Sequence, residues 1–289
     1  MSFRTYHQVT EPDRSRLGEQ VGQQRARVTA RLAGVKRVIA VMSGKGGVGK
    51  SYVTASLAIG AARHLAGGVG VVDADLKSPT VARLLDTRGP VRANEDGIHP
   101  PVSPHGVRVM STAFLLDDGA PLAWREHPGE RFVWRGVLET GALREFLSDV
   151  VWGTLDLLLV DLPPGADRLS DLAELVPSLT GAIAVTIPSD ESLASVQRSM
   201  QAARQQNVPL LGVIENMSGY ECGGCAHTRP LFSGDAGVAL AREFGVPLLA
   251  RVPFRPASAA SPPPPAPRMR DDDLERLVAT LCPADVVVA

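Results

Sequence analysis

The chain has 289 residues, with 30 Lys and Arg against 31 Asp and Glu, and three Cys. A net charge of −1 excludes a general nucleic-acid coat, which needs a large basic excess, and three cysteines exclude a disulfide-dense secreted scaffold. No apolar run approaches the roughly 18 residues that span a bilayer, and arginines stand where a signal peptide needs an apolar segment; a cytoplasmic protein acting away from membranes and nucleic acid is expected.

Residues 1–36 are polar, with Leu17, Val21, Val28 and Leu32 at helical intervals, so an amphipathic arm is expected, packed on the main domain or free to dock a partner. From Arg37 to Pro256 short apolar runs alternate with helical stretches. The runs are Val38–Met42, Val69–Val72, Leu155–Val160, Ala182–Ile187, Leu210–Ile214 and Leu248–Val252. Near-continuous apolar strands suit burial on both faces, as in a parallel sheet. Lys50–Leu65, Val137–Asp149, Leu193–Gln206 and Ala236–Phe244 read as the helices between them. The alternation predicts one doubly wound α/β domain with a mostly parallel sheet. Asp86–Gly106, rich in Gly, Pro and charge, reads as a loop or hairpin excursion, and residues 257–289 as a Pro-rich connector followed by a helix carrying Leu274, Leu277, Val278 and Leu281.

Gly44-Lys45-Gly46-Gly47-Val48-Gly49-Lys50-Ser51 matches G-x-x-x-x-G-K-[ST] between an apolar strand and a helix. Glycines let backbone N–H groups wrap a phosphate, and the helix adds the positive end of its dipole. Lys50 is expected on the terminal phosphates and the Ser51 hydroxyl on Mg²⁺. Asp161, ending Leu157-Leu158-Leu159-Val160, stands where a strand-end carboxylate holds Mg²⁺ through water, and Asp73 and Asp75 end another strand at the same edge.

Cys222-Gly223-Gly224-Cys225 can be half a zinc site, a redox dithiol or a cluster-ligand pair. Two thiolates do not complete a tetrahedral site, so a [4Fe–4S] cluster requires two more from a second chain, whereas His227 makes zinc an alternative. Cys282 reads as a packing thiol. His99, His105 and His127 lack ligand spacing, and Trp134 and Trp152 read as packing residues.

The loop with its additional Lys45 resembles the deviant phosphate loop of the MinD/ParA/nitrogenase-iron-protein class of P-loop NTPases. Asp73-Ala74-Asp75, Trp134-Arg135-Gly136, Trp152–Asp156, Asp161-Leu162-Pro163-Pro164-Gly165 and Glu215-Asn216-Met217-Ser218 narrow the resemblance to the Mrp/ApbC family of iron–sulfur cluster carrier ATPases. It spans roughly Gly34 to Pro256. It implies a homodimer that binds ATP and Mg²⁺ and bridges a [4Fe–4S] cluster between its chains at Cys222 and Cys225. Such a dimer hands the cluster to apo iron–sulfur proteins and hydrolyses ATP slowly. The same resemblance implies that Lys45 reaches the nucleotide across the interface and that Asp75 orients the attacking water. It sets Asn216 against adenine; the residue-level alternative is a polar side chain that ends a strand and satisfies a turn. Tyr52 stands where the family usually has Thr, Gly165-Ala166-Asp167 is one residue short, and Lys77-Ser78 replaces Tyr-Gly, so altered hydrolysis or coupling is expected. Two other readings fit the same residues: a nucleotide-stabilised metal scaffold with little turnover, and a positioning ATPase cycling on membrane or DNA.

Overall fold

The computed structural model describes residues 17–76, 78–115, 133–222, 224–225, 227–255 and 269–283. The Pro-rich connector, Lys77, His127 and residues 1–16 of the arm lie outside them, as does the side chain of Trp134.

In chain order the elements are α1 (Leu17–Arg31), β1 (Val38–Met42), α2 (Lys50–His64), β2 (Val69–Asp73), a one-turn α3 (Val81–Leu84), β3 (Arg92–Asn94), β4 (Gly97–His99) and β5 (Val107–Ser111). Then come α4 (Val133–Ser148), β6 (Leu157–Asp161), α5 (Arg168–Leu175), β7 (Gly181–Thr186), α6 (Asp190–Gln205), β8 (Leu210–Glu221), β9 (Thr228–Arg229), α7 (Ala236–Phe244), β10 (Leu248–Phe254) and α8 (Asp271–Leu281). The main sheet runs β10-β8-β7-β1-β6-β2-β5 with every one of these pairings parallel, and β9 adds to β8 antiparallel. β3 and β4 form the expected hairpin excursion.

The apolar runs read as they do because alternate residues enter two separate cores. Val38, Ala40 and Met42 face the side covered by α1, α4, α5, α6 and α7, while Ile39 and Val41 face α2, α3 and α8. The arm is part of the first layer: Val28 and Leu32 are buried in it, and Lys36 Nζ lies 2.7 Å from Asp156 Oδ1. Trp152 is fully buried, its indole donating to Phe146 O at 3.1 Å.

The last helix closes the second layer over α2. Leu274, Leu277, Val278 and Leu281 are buried there beside Cys282, the packing thiol the sequence suggested. Its apolar face is therefore covered by α2, and no helix among the described residues is long and apolar enough to cross a membrane. The two helices touch closely at Gly60, where a Cβ would sit 2.9 Å from Leu274 Cβ. Gly60→Val is expected to lower stability by about 1–3 kcal/mol, the cost of an overpacked core. Thermal denaturation reads this as a drop of several degrees; an unchanged midpoint would mean that α8 can move aside freely.

Candidate functional site

The sheet delivers the phosphate loop to the carboxyl ends of its central strands, where open α/β sheets bind ligands. β1 lies between β6 and β7, and the loop leaves β1 to enter α2 at Lys50. Two glycines in it are fixed by geometry. A Cβ on Gly44 would run into the Ser195 and Val196 backbone of α6, and Gly49 has φ 78° with the Asn216 amide against it.

Asp161 is fully buried and gathers the start of α2 around itself. Lys50 Nζ lies 2.7 Å from Oδ2, Ser51 Oγ donates to Oδ2 at 2.6 Å, and Thr54 Oγ1 donates to Oδ1 at 2.6 Å. Thr54, one helical turn beyond Lys50, is a site residue that motif reading passes over; its spacing is the signal. Asp73 is registered beside Asp161 across β2 and β6, equally buried. It accepts from Val81 N and Ser111 Oγ, both at 3.1 Å, and from Asp75 N at 3.3 Å. Burial, then the neighbouring Asp161 charge, pushes the Asp73 carboxyl up to about 7.

An open cleft of about 340 Å³ lies over the loop, lined by residues 45–52 together with Asp75, Ser78, Thr80, Arg83, Leu84 and Pro164. Lys45, Lys50 and Arg83 make this wall cationic, which suits a polyphosphate. Lys45 also contributes to holding the exposed Glu191 carboxyl below its usual range, behind hydrogen bonds from the Glu191 backbone and Ser189. The structure thus brings Gly44–Ser51, Asp75 and Asp161 together as the sequence suggests. Tyr52 lines the same cleft, half-buried. Asn216 does not line it: the side chain is buried beneath the loop, and its amide donates to Val48 O at 2.9 Å.

β8 runs well past Ile214, where the apolar signal ends, because its buried polar residues have built partners. The Glu215 carboxylate accepts from Gly237 N at 2.8 Å and pairs with Arg251 at 2.8 Å, joining the start of α7 and β10 to β8. Beyond Asn216 the strand reaches Glu221 and pairs with β9, and Cys222 N donates to His227 O at 3.0 Å. The C-x-x-C pair therefore occupies the tip of a β-hairpin, Cys222 half-buried and Cys225 exposed, neither in a disulfide. Among the described residues no third His, Cys, Asp or Glu joins the pair into a group that could hold a metal ion.

The Cys222 thiol is held below its ordinary value of 9.0 by hydrogen bonds from the Gly224 and Cys225 N–H groups and from the Cys225 side chain. The thiolate is the form that reacts and binds metal. Alkylation of Cys222 by iodoacetamide is expected to rise with a midpoint below 9, and Cys225→Ala, which removes the side-chain donor, to move that midpoint upward. Mass-spectrometric site assignment across pH checks both; a midpoint at the free-thiol value would remove the preorganisation.

A glycine-rich loop after a buried parallel strand, a Lys-Ser pair opening the next helix and a strand-end Asp beside them define a P-loop NTPase. Residues 34–272 match the family model described as ParA, NUBPL iron-transfer P-loop NTPase, and the chain belongs to that family. The iron–sulfur cluster carrier protein of Saccharolobus solfataricus is 39% identical over 267 residues, covering 89% of this chain and 86% of that protein. The cytosolic Fe-S cluster assembly factor NUBP2 of Homo sapiens is 39% identical over 232 residues, 78% of this chain and 82% of that one. Among solved structures, a nucleotide-binding protein of Archaeoglobus fulgidus in complex with ADP aligns with TM-score 0.66 at 30% identity, covering 90% of this chain and 93% of the other. The cell division ATPase MinD of Pyrococcus furiosus aligns with TM-score 0.55 at 22% identity over 85% of this chain and 98% of its own, a likeness of fold alone.

Proposed function

We propose that the chain is a cytoplasmic ATP-dependent carrier of iron–sulfur clusters, acting as a homodimer. Each chain binds ATP at its phosphate loop. Cys222 and Cys225 hold one [4Fe–4S] cluster jointly with the same pair of a second chain, and the cluster passes to apo iron–sulfur proteins. One observation carries this reading: β8 serves both centres. Asn216 donates to the loop carbonyl of Val48, and the same strand ends at the hairpin bearing the cysteines. A change at the loop thus has a rigid element through which to reach the pair. Leu231, Phe232 and Phe254, the last registered with Tyr220, are exposed around the hairpin base and favour a partner surface there.

Hydrolysis is attack of water on the γ-phosphorus with ADP as leaving group. Lys50 leaves Asp161 to neutralise the terminal phosphate oxygens, the loop amides hold the others, and Asp75 orients the water. Lys45 reaches the nucleotide of the second chain. The oxygen donors of Ser51 and Asp161 fit Mg²⁺ and would hold it; the ion would supply neutralisation of the polyphosphate charge. Any adenine contact by Asn216 uses its amide oxygen and second hydrogen, because the first is held by Val48 O. Tyr52, in the cleft where a small hydroxyl residue is usual, makes turnover slow. The covered apolar face of α8 favours this reading over a membrane-positioning ATPase.

The test is anaerobic reconstitution with iron and sulfide, counting metal and sulfide per dimer. One [4Fe–4S] cluster per two chains is expected; zinc bound instead, or a cluster that survives loss of both cysteines, overturns the assignment.

A further inference from the structure

Glu221 immediately precedes Cys222 and accepts two arginines from distant parts of the chain. Arg255 Nε, just past β10, lies 3.0 Å from its Oε2, and Arg270 Nη2, just before α8, lies 3.2 Å from the same oxygen. The carboxylate is largely covered, at 16% side-chain exposure, and the pair of guanidinium groups holds it ionised below the usual range despite its partial burial. Arg270 is followed by Asp271, whose Oδ1 lies 2.6 Å from Arg63 Nη1 on α2, and Leu274 of α8 rests on Gly60 of α2. The helix α2 begins with Lys50 and Ser51.

An unbroken set of contacts therefore runs from the phosphate-loop helix through α8 and Arg270 to the residue beside the first cysteine. It is separate from the route through Asn216. We propose that Glu221 is a positioning residue: clasped by Arg255 and Arg270, it ties the cysteine hairpin to α8, so that movement of α2 on nucleotide binding is transmitted to the Cys222/Cys225 pair. The inference rests on the coupling of nucleotide to the cysteines proposed above. The clasp suits this role because it is ionic and its Arg270 arm is exposed, so it can re-form in a second geometry, whereas the apolar α2–α8 contact moves as a unit.

The experiment measures the alkylation rates of Cys222 and Cys225 in the full-length protein with and without ATP and Mg²⁺, for the wild type and for Glu221→Gln, Arg270→Ala and Arg270→Lys. In the wild type, nucleotide is expected to change the rates about threefold or more. In Glu221→Gln and Arg270→Ala the ratio should fall toward one while the KM for ATP stays within about twofold. Arg270→Lys, which keeps the charge, should restore most of the ratio. A merely structural contact would alter melting temperature but leave the ratio intact. Because the Arg270 side chain is 59% exposed, Arg270→Ala should retain the fold even if Glu221→Gln does not. Wild-type ratios in both variants overturn the proposal, as does a wild-type rate that nucleotide leaves unchanged. The readout needs no bound cluster, so failed reconstitution alongside a clasp-dependent ratio counts against the carrier function and not against the clasp.

Discussion

Lys50→Ala is expected to reduce ATP turnover by about a hundredfold or more and also to lower the stability of the nucleotide-free protein. The first effect follows from removing the cation that meets charge developing on the terminal phosphate; loss of one such preorganised group costs on the order of 10²–10³ in rate. The second follows from Asp161, which is fully buried and 2.7 Å from the Lys50 ammonium, with Asp73 registered alongside. Alanine leaves two buried carboxyl groups with hydroxyl and amide donors but without their cation, and breaking a buried pair in this way costs about 3–5 kcal/mol. For a chain of this size that is a fall of roughly 10 °C in melting temperature. The deficit has a pH signature. Asp73 titrates in the fold near 7, above its ordinary 3.8, so between those values the folded state binds the extra proton and gains stability as pH falls. Without Lys50 that gain grows, and the variant should melt closer to the wild type at about pH 5.5 than at about pH 8. Combining Lys50→Met with Asp161→Asn should recover most of the stability and none of the turnover. Calorimetry and phosphate release measure the two effects independently; a Lys50→Ala protein as stable as wild type at high pH would mean that the pair is not buried in solution.

The phosphate loop was legible because its chemistry is local: glycines, lysine and serine are consecutive, and flanking apolar runs announce the strand and helix that position them. Buried parallel strands were legible for the same reason, since both faces demand apolar residues. The strand β5 was not, because it lies at the sheet edge and Arg108 interrupts it; that side chain donates to the carbonyls of Trp152 and Thr154 rather than entering a core. The eight-residue α5 offers only Leu169, Leu172 and Leu175 as buried positions, too few for a periodic signal. The far half of β8 hid behind Glu215 and Asn216. A buried carboxylate reads as a loop residue until Gly237 and Arg251 are seen to satisfy it. Position along a motif also left orientation open: Asn216 sits under the loop because its amide has Val48 O as a partner. Glu221 could not have been singled out at all, since Arg255 and Arg270 approach it only through the pairing of β10 with β8 and the docking of α8.

Cys222→Ala combined with Cys225→Ala is expected to abolish cluster binding while leaving the melting temperature and ATP turnover near those of the wild type. Both side chains sit at the exposed end of a hairpin whose backbone pairing, through Tyr220–Arg229 and Glu221–Thr228, does not depend on them, so the change in stability should stay within about 0.5 kcal/mol. The more searching form of the experiment mixes wild-type and doubly substituted chains before reconstitution. If each cluster needs two thiolates from each of two chains, only dimers of two intact chains can hold one, because an isologous interface juxtaposes the same patch from both. Cluster content then falls as the square of the wild-type fraction, to about a quarter of the maximum in an equal mixture. If a single chain suffices, content falls linearly, to about one half. The curvature of that plot, read from iron content and the charge-transfer absorbance of the cluster, separates a bridged cargo from one held by each chain alone. A linear plot would refute the shared site while leaving the phosphate loop and its chemistry untouched.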